Sequence, residues 1–334
     1  MATSKDVALL AGVSQATVSR SISHPEMVSE EVRARVGRAM RTLGYVPHSG
    51  ARVLRGGRTD TIGIVISELM NPFYPQVLEE ATAALDARGF RTVIWNAGAD
   101  HRRSALEAIR AHAIDGVIFV TATPDSDELE AALKEGSPVV LVNRDVPGVE
   151  CDRVLTDNRA GARAVAEFLV ANSRDGAVYI GGSPGASTAV ERERHFLERM
   201  AELGAPVPLH RRFDGGFEWQ RASDIAHDLI VSADPPDAIF CANDYMALGA
   251  LDALARSSAE AAERCWVVGF DDIPMASWAQ IGLTTVHQHT TEMVARAVEL
   301  LVARIKSPGG APVREVFGAE LQIRASTPGA TPAA

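Results

Sequence analysis

Two sets of side chains in this 334-residue chain have the types and spacing to do recognition chemistry. The first is Gln15-Ala16-Thr17, with Arg20 a helical turn further on. A glutamine can pair with adenine through two hydrogen bonds, an arginine with guanine, and an alanine methyl can rest on the methyl of thymine. Around them stand the short hydroxyls Ser14, Ser19 and Ser29, suited to phosphate oxygens, which position a protein on a duplex without reading its sequence. Thr3 is placed with this set. The second set is spread along the chain, one group after each of several apolar runs: Phe73-Tyr74 after Asn71-Pro72, Asn143-Arg144, Arg192 beyond Gly181-Gly182, Asn243-Asp244 and Asp271-Asp272. Amides, guanidinium groups, carboxylates and aromatic rings together suit a polyhydroxylated or heterocyclic small molecule. Singly, each has a plainer use. Asn71-Pro72 suits a helix start, Asp244 a helix N-cap, Asp272 a turn cap, and Phe73 and Phe217 a core.

Catalytic and metal-binding patterns are not found. Gly181-Gly182-Ser183-Pro184-Gly185 lacks the Lys-Ser/Thr of a phosphate loop and the spacing of a dinucleotide fingerprint. No serine sits in a nucleophile elbow. His287 and His289 alternate, which on a strand puts them on one face, but without Cys or carboxylate partners in the sequence they are a weak metal signal. Asp271 and Asp272 are adjacent, so on an extended strand they point opposite ways. The expectation is a protein that binds rather than catalyses, with no cofactor and no metal.

The elements that must position these groups fall into two kinds. In the first sixty residues three short helices are expected: 4–11, capped by Thr3 or Ser4 and stopped by Gly12; 15–22, capped by Ser14; and a third after Ser29, ending near Gly44. Val13 is expected to be buried behind the Gly12 turn. Val32, Val36, Met40 and Leu43 recur at three- and four-residue intervals, as one buried helix face requires. Helix, tight turn and helix form the helix-turn-helix unit, whose second helix enters the major groove. Beyond residue 60 the pattern changes to apolar runs at 62–66, 92–95, 117–120, 139–142, 177–180, 238–241 and 266–269, with helical stretches between them and a crossing strand at 283–286. Such βα repetition implies parallel sheets with helices on both faces, and ligands then bind outside the carboxyl ends of the strands. The second set of side chains lies at those ends.

Composition and charge agree. Hydrophobic residues make up 46% and charged residues 23%, which excludes a largely disordered chain. The net charge is −10, yet residues 1–58 carry nine basic and four acidic residues, a local +5 on a body of −15. A basic end module on an acidic body is a nucleic-acid footprint. Cys151, Cys241 and Cys265 are too widely spaced for a disulfide framework or a zinc site. With no apolar signal core and no run of about 18 apolar residues, a cytoplasmic protein is expected.

Several motifs carry a resemblance. Asp6-Val7-Ala8, Ala11-Gly12-Val13-Ser14, Ala16-Thr17-Val18-Ser19-Arg20, Val28-Ser29 and Leu43-Gly44-Tyr45-Val46-Pro47 keep the order and spacing of the LacI/GalR family of bacterial transcription repressors. The likeness runs on through Ile62-Gly63-Ile64-Val65, Asn71-Pro72-Phe73-Tyr74, Asp157-Asn158, Ala242-Asn243-Asp244, Val268-Gly269-Phe270-Asp271-Asp272 and Leu283-Thr284-Thr285-Val286, about 320 residues in all. The resemblance implies an α/β fold: an all-α helix-turn-helix headpiece (1–46), a hinge segment (47–58) and a periplasmic-binding-protein-like body (59–327) that dimerises. The body divides into two doubly wound parallel-sheet subdomains, about 59–156 with 287–318 and about 157–286 with 319–327, and a flexible tail follows from 328 to 334. In the hinge, Leu54 matches the residue that wedges between base steps, Ala51 the close-approach position, and Arg52 and Arg55 flank the wedge. Family effector contacts fall on Phe73, Tyr74, Asn143, Arg192, Phe217, Asn243 and Asp271.

The chain departs from the family pattern at Ser173-Arg174-Asp175-Gly176, across 257–264, and at His289, where proline is common. Asn143 stands where sugar-specific members often carry a carboxylate. Arg144 and Arg192 near one cleft would suit a sugar acid or phosphate, with Arg144 as a structural salt-bridge partner the other reading. The partners implied are a palindromic double-stranded operator, a small-molecule effector of the sugar or sugar-acid class, and a second copy of the chain. A tail without heptads argues for a dimer over a tetramer. A solute-binding receptor or a sugar-processing enzyme of the same body fold is the alternative function.

Overall fold

The computed structural model describes residues 2–23, 25–45, 58–97, 102–258, 260 and 264–331, in two units, Met1–Thr59 and Asp60–Ala334. The first unit holds α1 (Ser4–Ala11), α2 (Gln15–Ser23) and α3 (Glu30–Leu43). Thr3 caps α1 in a reciprocal box. Its hydroxyl accepts from the Asp6 amide at 3.3 Å, and the Asp6 carboxylate accepts from the Thr3 amide at 2.7 Å. Gly12 ends α1 in the left-handed region at φ 62°, where a side chain would be strained. Arg35 on α3 secures that turn, its guanidinium donating to the carbonyls of Ala11 (2.8 and 3.1 Å) and Gly12 (3.0 Å). Val7, Ala11, Val18, Val36 and Ala39 form the buried centre. Val13, expected inside, is only half-buried against it, because so small a unit has little interior to enclose a side chain that follows the turn. The hinge residues Ala51, Arg52 and Leu54 lie outside the described residues.

The second unit is built on two parallel sheets. The first joins β1 (Thr61–Ile66), β2 (Arg91–Asn96), β3 (Gly116–Phe119), β4 (Val139–Val142), β5 (Asp152–Thr156) and β11 (Arg314–Phe317) in the order β11-β5-β4-β3-β1-β2. The second joins β6 (Val178–Gly181), β7 (Arg212–Asp214), β8 (Ala238–Cys241) and β9 (Trp266–Val268) in the order β7-β6-β8-β9. Their central strands β1, β3, β4, β6 and β8 are buried along their whole length, as sheets covered on both faces require. Helices α4 (Phe73–Asp86), α5 (Arg102–Arg110) and α6 (Asp127–Lys134) alternate with the strands of the first sheet, and α7 (Asn158–Ala171), α8 (Ser187–Glu202), α9 (Trp219–Ile230) and α10 (Asp244–Ala255) with those of the second. The chain crosses between sheets three times. It leaves β5 for α7, returns through β10 (Thr285–His287) into α11 (Thr290–Lys306), and crosses again from β11 to β12 (Glu320–Gln322), which pairs antiparallel with β10.

Four strands escaped the sequence reading: β5, β7, β11 and β12. β5 opens on two charged residues, and its buried Asp152 is legible only once Arg304 of α11 is seen to grip it with bonds of 2.6 and 2.9 Å. β7 and β11 are edge strands with exposed, polar sequence, which carry little apolar signal. The tail expected to be free from residue 328 is held as far as Thr331, whose amide donates to Asn172 at 2.9 Å. Cys151, Cys241 and Cys265 are all buried thiols. No described helix is long and apolar enough to cross a membrane.

Candidate functional site

On the headpiece, Gln15, Ala16 and Arg20 are exposed on α2, while Thr17 and Ser19 are half-buried. The Ser14 hydroxyl accepts from the Thr17 amide at 3.0 Å and lies 2.9 Å from the Thr17 hydroxyl, so both serve the start of α2. The Gln15 side-chain amide donates to the Ser4 hydroxyl at 2.7 Å, which tethers the base of α2 to α1. Ser29 stands at the N-cap of α3 without making a capping bond. Thr3 is committed to α1 through Asp6, whose carboxyl is held below the ordinary range by the Thr3 hydroxyl and amide. The exposed residues of α2 therefore present an amide, a methyl and a guanidinium, with the positive end of the helix dipole beside them.

In the body, side chains from the carboxyl ends of both sheets line one cavity. It lies where the strand order turns back on itself: β1 has neighbours β2 and β3, and β6 has neighbours β7 and β8. After β1, Asn71 accepts from the Phe73 amide at 3.1 Å and starts α4, which sets Phe73 and Tyr74 edge to face with centroids 5.7 Å apart. After β4 come Asn143 and Arg144. After β6, Gly182 leaves room for the Phe217 ring, whose atoms would lie 2.2 Å from a Cβ at that position. Phe217 itself stands in the turn before α9. Asn243 caps α10 by accepting from the Met246 amide at 2.9 Å, and Asp271 follows β9. All eight of the expected residues, Phe73, Tyr74, Asn143, Arg144, Arg192, Phe217, Asn243 and Asp271, meet here, joined by Asn71 and Thr188. Three of them hold positive φ without being glycine: Asn143 (53°), Phe217 (64°) and Asp271 (135°). Such backbone conformations concentrate at binding sites, where the surrounding structure holds the strain.

Arg192 is the hub. Only 2% exposed, it donates from Nε to Asn158 (2.8 Å), from Nη1 to the Ala242 carbonyl (2.6 Å) and Asp271 (3.3 Å), and from Nη2 to Gln288 (3.2 Å), while its guanidinium covers the Phe270 ring at 3.7 Å. Gln288 is fully buried and joins Arg192 to Asn143, Thr156 and Asp271. Burial pushes the Asp271 carboxyl up, against the pull of Arg192. Burial and the nearby Asp271 charge push up Asp244 too, which is turned away to accept from the Thr285 hydroxyl and the Ile273 amide. Asp244 is therefore neither N-cap nor cavity residue.

Asp272 caps no turn. It lies between His287 (2.9 Å) and Arg324 (2.6 Å). His287 and His289 do meet, with ring centroids 4.7 Å apart, but each has a carboxylate that sequence spacing concealed: Asp272 for His287, and Glu320 at 3.6 Å for His289. No group of three or more ligating side chains fit for a metal occurs among the described residues.

Sequence reasoning missed Thr188, Gln288 and Asn158 as members of this arrangement. Following each strand through its loop into the first turn of the next helix would have found Thr188. Gln288 and Asn158 follow crossing points between the sheets, and their roles come from pairing with Arg192. The cavity offers planar rings and forked polar groups but no histidine, cysteine or lysine. Such groups are suited to hold a hydroxyl-rich small molecule.

Comparison with known proteins places these features together. The pattern described as "Bacterial regulatory proteins, lacI family" matches residues 3–48, and that of a periplasmic binding protein-like domain matches residues 166–327. The chain is 30% identical over 331 residues to the HTH-type transcriptional repressor PurR of Photobacterium profundum, covering 98% of each. It is 34% identical over 330 residues to the HTH-type transcriptional regulator CelR of Thermobifida fusca, covering 96% of each. A solved complex of the transcriptional regulator CelR with cellobiose superposes with a TM-score of 0.73 at 30% identity, covering 98% of this chain and all of that one.

Proposed function

This chain belongs to the lacI family of bacterial regulatory proteins, and from that premise we propose that a small polyhydroxylated molecule in the cleft sets how tightly its headpiece holds an operator. The chain is a DNA-binding transcriptional regulator, and on this reading it acts as a repressor in the cytoplasm, by binding and without a catalytic step. The observation that carries the reading is the union in one chain of an exposed Gln15–Arg20 helix surface with a polar, aromatic-walled cavity at two sets of strand ends. Two copies lay their α2 helices in successive major grooves of a palindromic site. The effector shifts the equilibrium between arrangements of the two sheets. Whether that releases or strengthens DNA binding depends on which arrangement it binds better.

Selection of binding sites from a random duplex library tests the reading. A palindrome should emerge, and its affinity should fall steeply with salt, by about 0.9 log units per log unit of salt for each phosphate neutralised. Gln15→Ala should change the base recovered at one position in each half-site. Recovery of no preferred sequence would sink the assignment, and a uniform loss across all sequences would make Gln15 a backbone contact.

A further inference from the structure

The cavity has two guanidinium groups, Arg144 and Arg192, and one carboxylate, Asp271, on its wall. The two arginines differ in how their donors are used. Arg192 has an acceptor for every nitrogen and a carboxylate partner. Arg144 is 7% exposed, and its only hydrogen bonds run from Nη1 to two neutral oxygens, the Asn143 carbonyl at 2.8 Å and the Thr188 hydroxyl at 3.1 Å. Its Nε is buried with no acceptor at all. The carboxylate next to it in the chain, Asp145, is paired instead with Arg153 and Arg314. Glu191, on the turn after Thr188, accepts from Asn158. Among the described residues Arg144 makes no ion pair, which removes the salt-bridge reading of this residue. Beside it, the Asn143 Oδ1 is likewise buried without a donor.

The nearby Asp271 carboxylate feels the Arg144 charge but spends its hydrogen bonds on Arg192 and Gln288. A desolvated guanidinium with unused donors and no ion pair is costly, and proteins pair such groups or leave them for a ligand. An arginine fork matches the two oxygens of a carboxylate or the oxygens of a phosphate. We infer that the effector of this chain carries an anionic group, a carboxylate or a phosphate, which Arg144 binds, while a hydroxyl of the same molecule donates to Asn143 Oδ1. The inference rests on the cleft being the effector site.

Thermal unfolding of the full-length protein tests it, using matched probes: glucose against gluconate, glucuronate and glucose 6-phosphate, and ribose against ribonate and ribose 5-phosphate. The acids or the phosphates should raise the midpoint where their neutral partners do not, and which group succeeds separates carboxylate from phosphate. Arg144→Met should abolish that rise. It should also raise the ligand-free midpoint by ~2–4 °C, because it removes a buried charge that makes no ion pair and has no acceptor at Nε. Arg144→Gln, which keeps a donor for Thr188, provides the same test should the methionine variant not fold.

A lower ligand-free midpoint for both variants would overturn the inference, since Arg144 would then be a satisfied strut. A neutral sugar that stabilises the wild type and both variants equally would overturn it too, while leaving the cleft as a polyol site. No response to any probe, neutral or charged, would count against the cleft reading itself, and the inference would fall with it.

Discussion

Arg192 owes its place in the cleft to Asp271, Gln288, Asn158 and the Ala242 carbonyl, and each of these is left short if the guanidinium is removed. Arg192→Met should therefore destabilise the body by about 3–5 kcal/mol, the usual cost of stranding one member of a buried pair, as chemical denaturation would measure. An unchanged midpoint would mean that solvent reaches Asp271 and screens it. At the other end of the chain, Thr3→Ala removes one half of the capping box and should cost about 1 kcal/mol of local stability in α1, read as faster amide exchange there. The same cap has a pH signature. Because Asp6 is held below the ordinary carboxylate range when folded, its contribution is present above that range and fades as pH falls through the lowered value. Protection of α1 should fall with acid in the wild type and much less so in the Thr3 variant.

Whole elements are set by close approaches that only particular residues allow. The turn before α9 brings the Phe217 ring onto Gly182, and a Cβ there would meet ring atoms at 2.2 Å. Gly182→Ala should push the ring out of place and weaken effector binding at least tenfold by calorimetry, with operator affinity retained; preserved effector affinity would show that Phe217 is not a wall of the occupied cavity. Helix α11 is clipped to the first sheet where Arg304 meets Asp152, which is 2% exposed and also accepts from the Val313 amide at 2.8 Å. Arg304→Ala leaves that carboxylate with one donor and should lower stability by roughly 3–5 kcal/mol in urea unfolding. Periodicity made the central strands and the helices legible to within a few residues. It failed for β5, β7, β11 and β12, where short edge strands and a buried ion pair replace the apolar run that the eye follows.

For the molecule as a whole, the two functions should be separable by mutation. If 47–58 is the hinge that the family resemblance implies, Leu54→Ala should weaken operator binding at least tenfold while ligand-induced thermal stabilisation stays as in the wild type. If instead the ligand response is lost and DNA binding kept, the division of labour between headpiece and body is wrong. The charge asymmetry, +5 on residues 1–58 against −15 beyond, belongs to this scale. It concentrates attraction for DNA at one end and repels DNA from the rest.

The helix-turn-helix and the parallel βα repetition could be read directly, because they depend on caps, glycine turns and apolar periods that act over a few residues. Seven of the eight cavity residues could be chosen too, since the carboxyl ends of parallel strands are where such sheets leave a crevice, while Phe217 came from the family resemblance. What tertiary structure alone decided was the state of each charge. Asp271 is matched with Arg192 across 79 residues, and Gln288 with Asn143 across 145. Asp272 turns to His287 and Arg324, and Arg144 makes no ion pair among the described residues. Those outcomes depend on which side chains the crossings between sheets bring within about 3 Å and on how far water is excluded around them, and neither distance nor dielectric is written in local sequence.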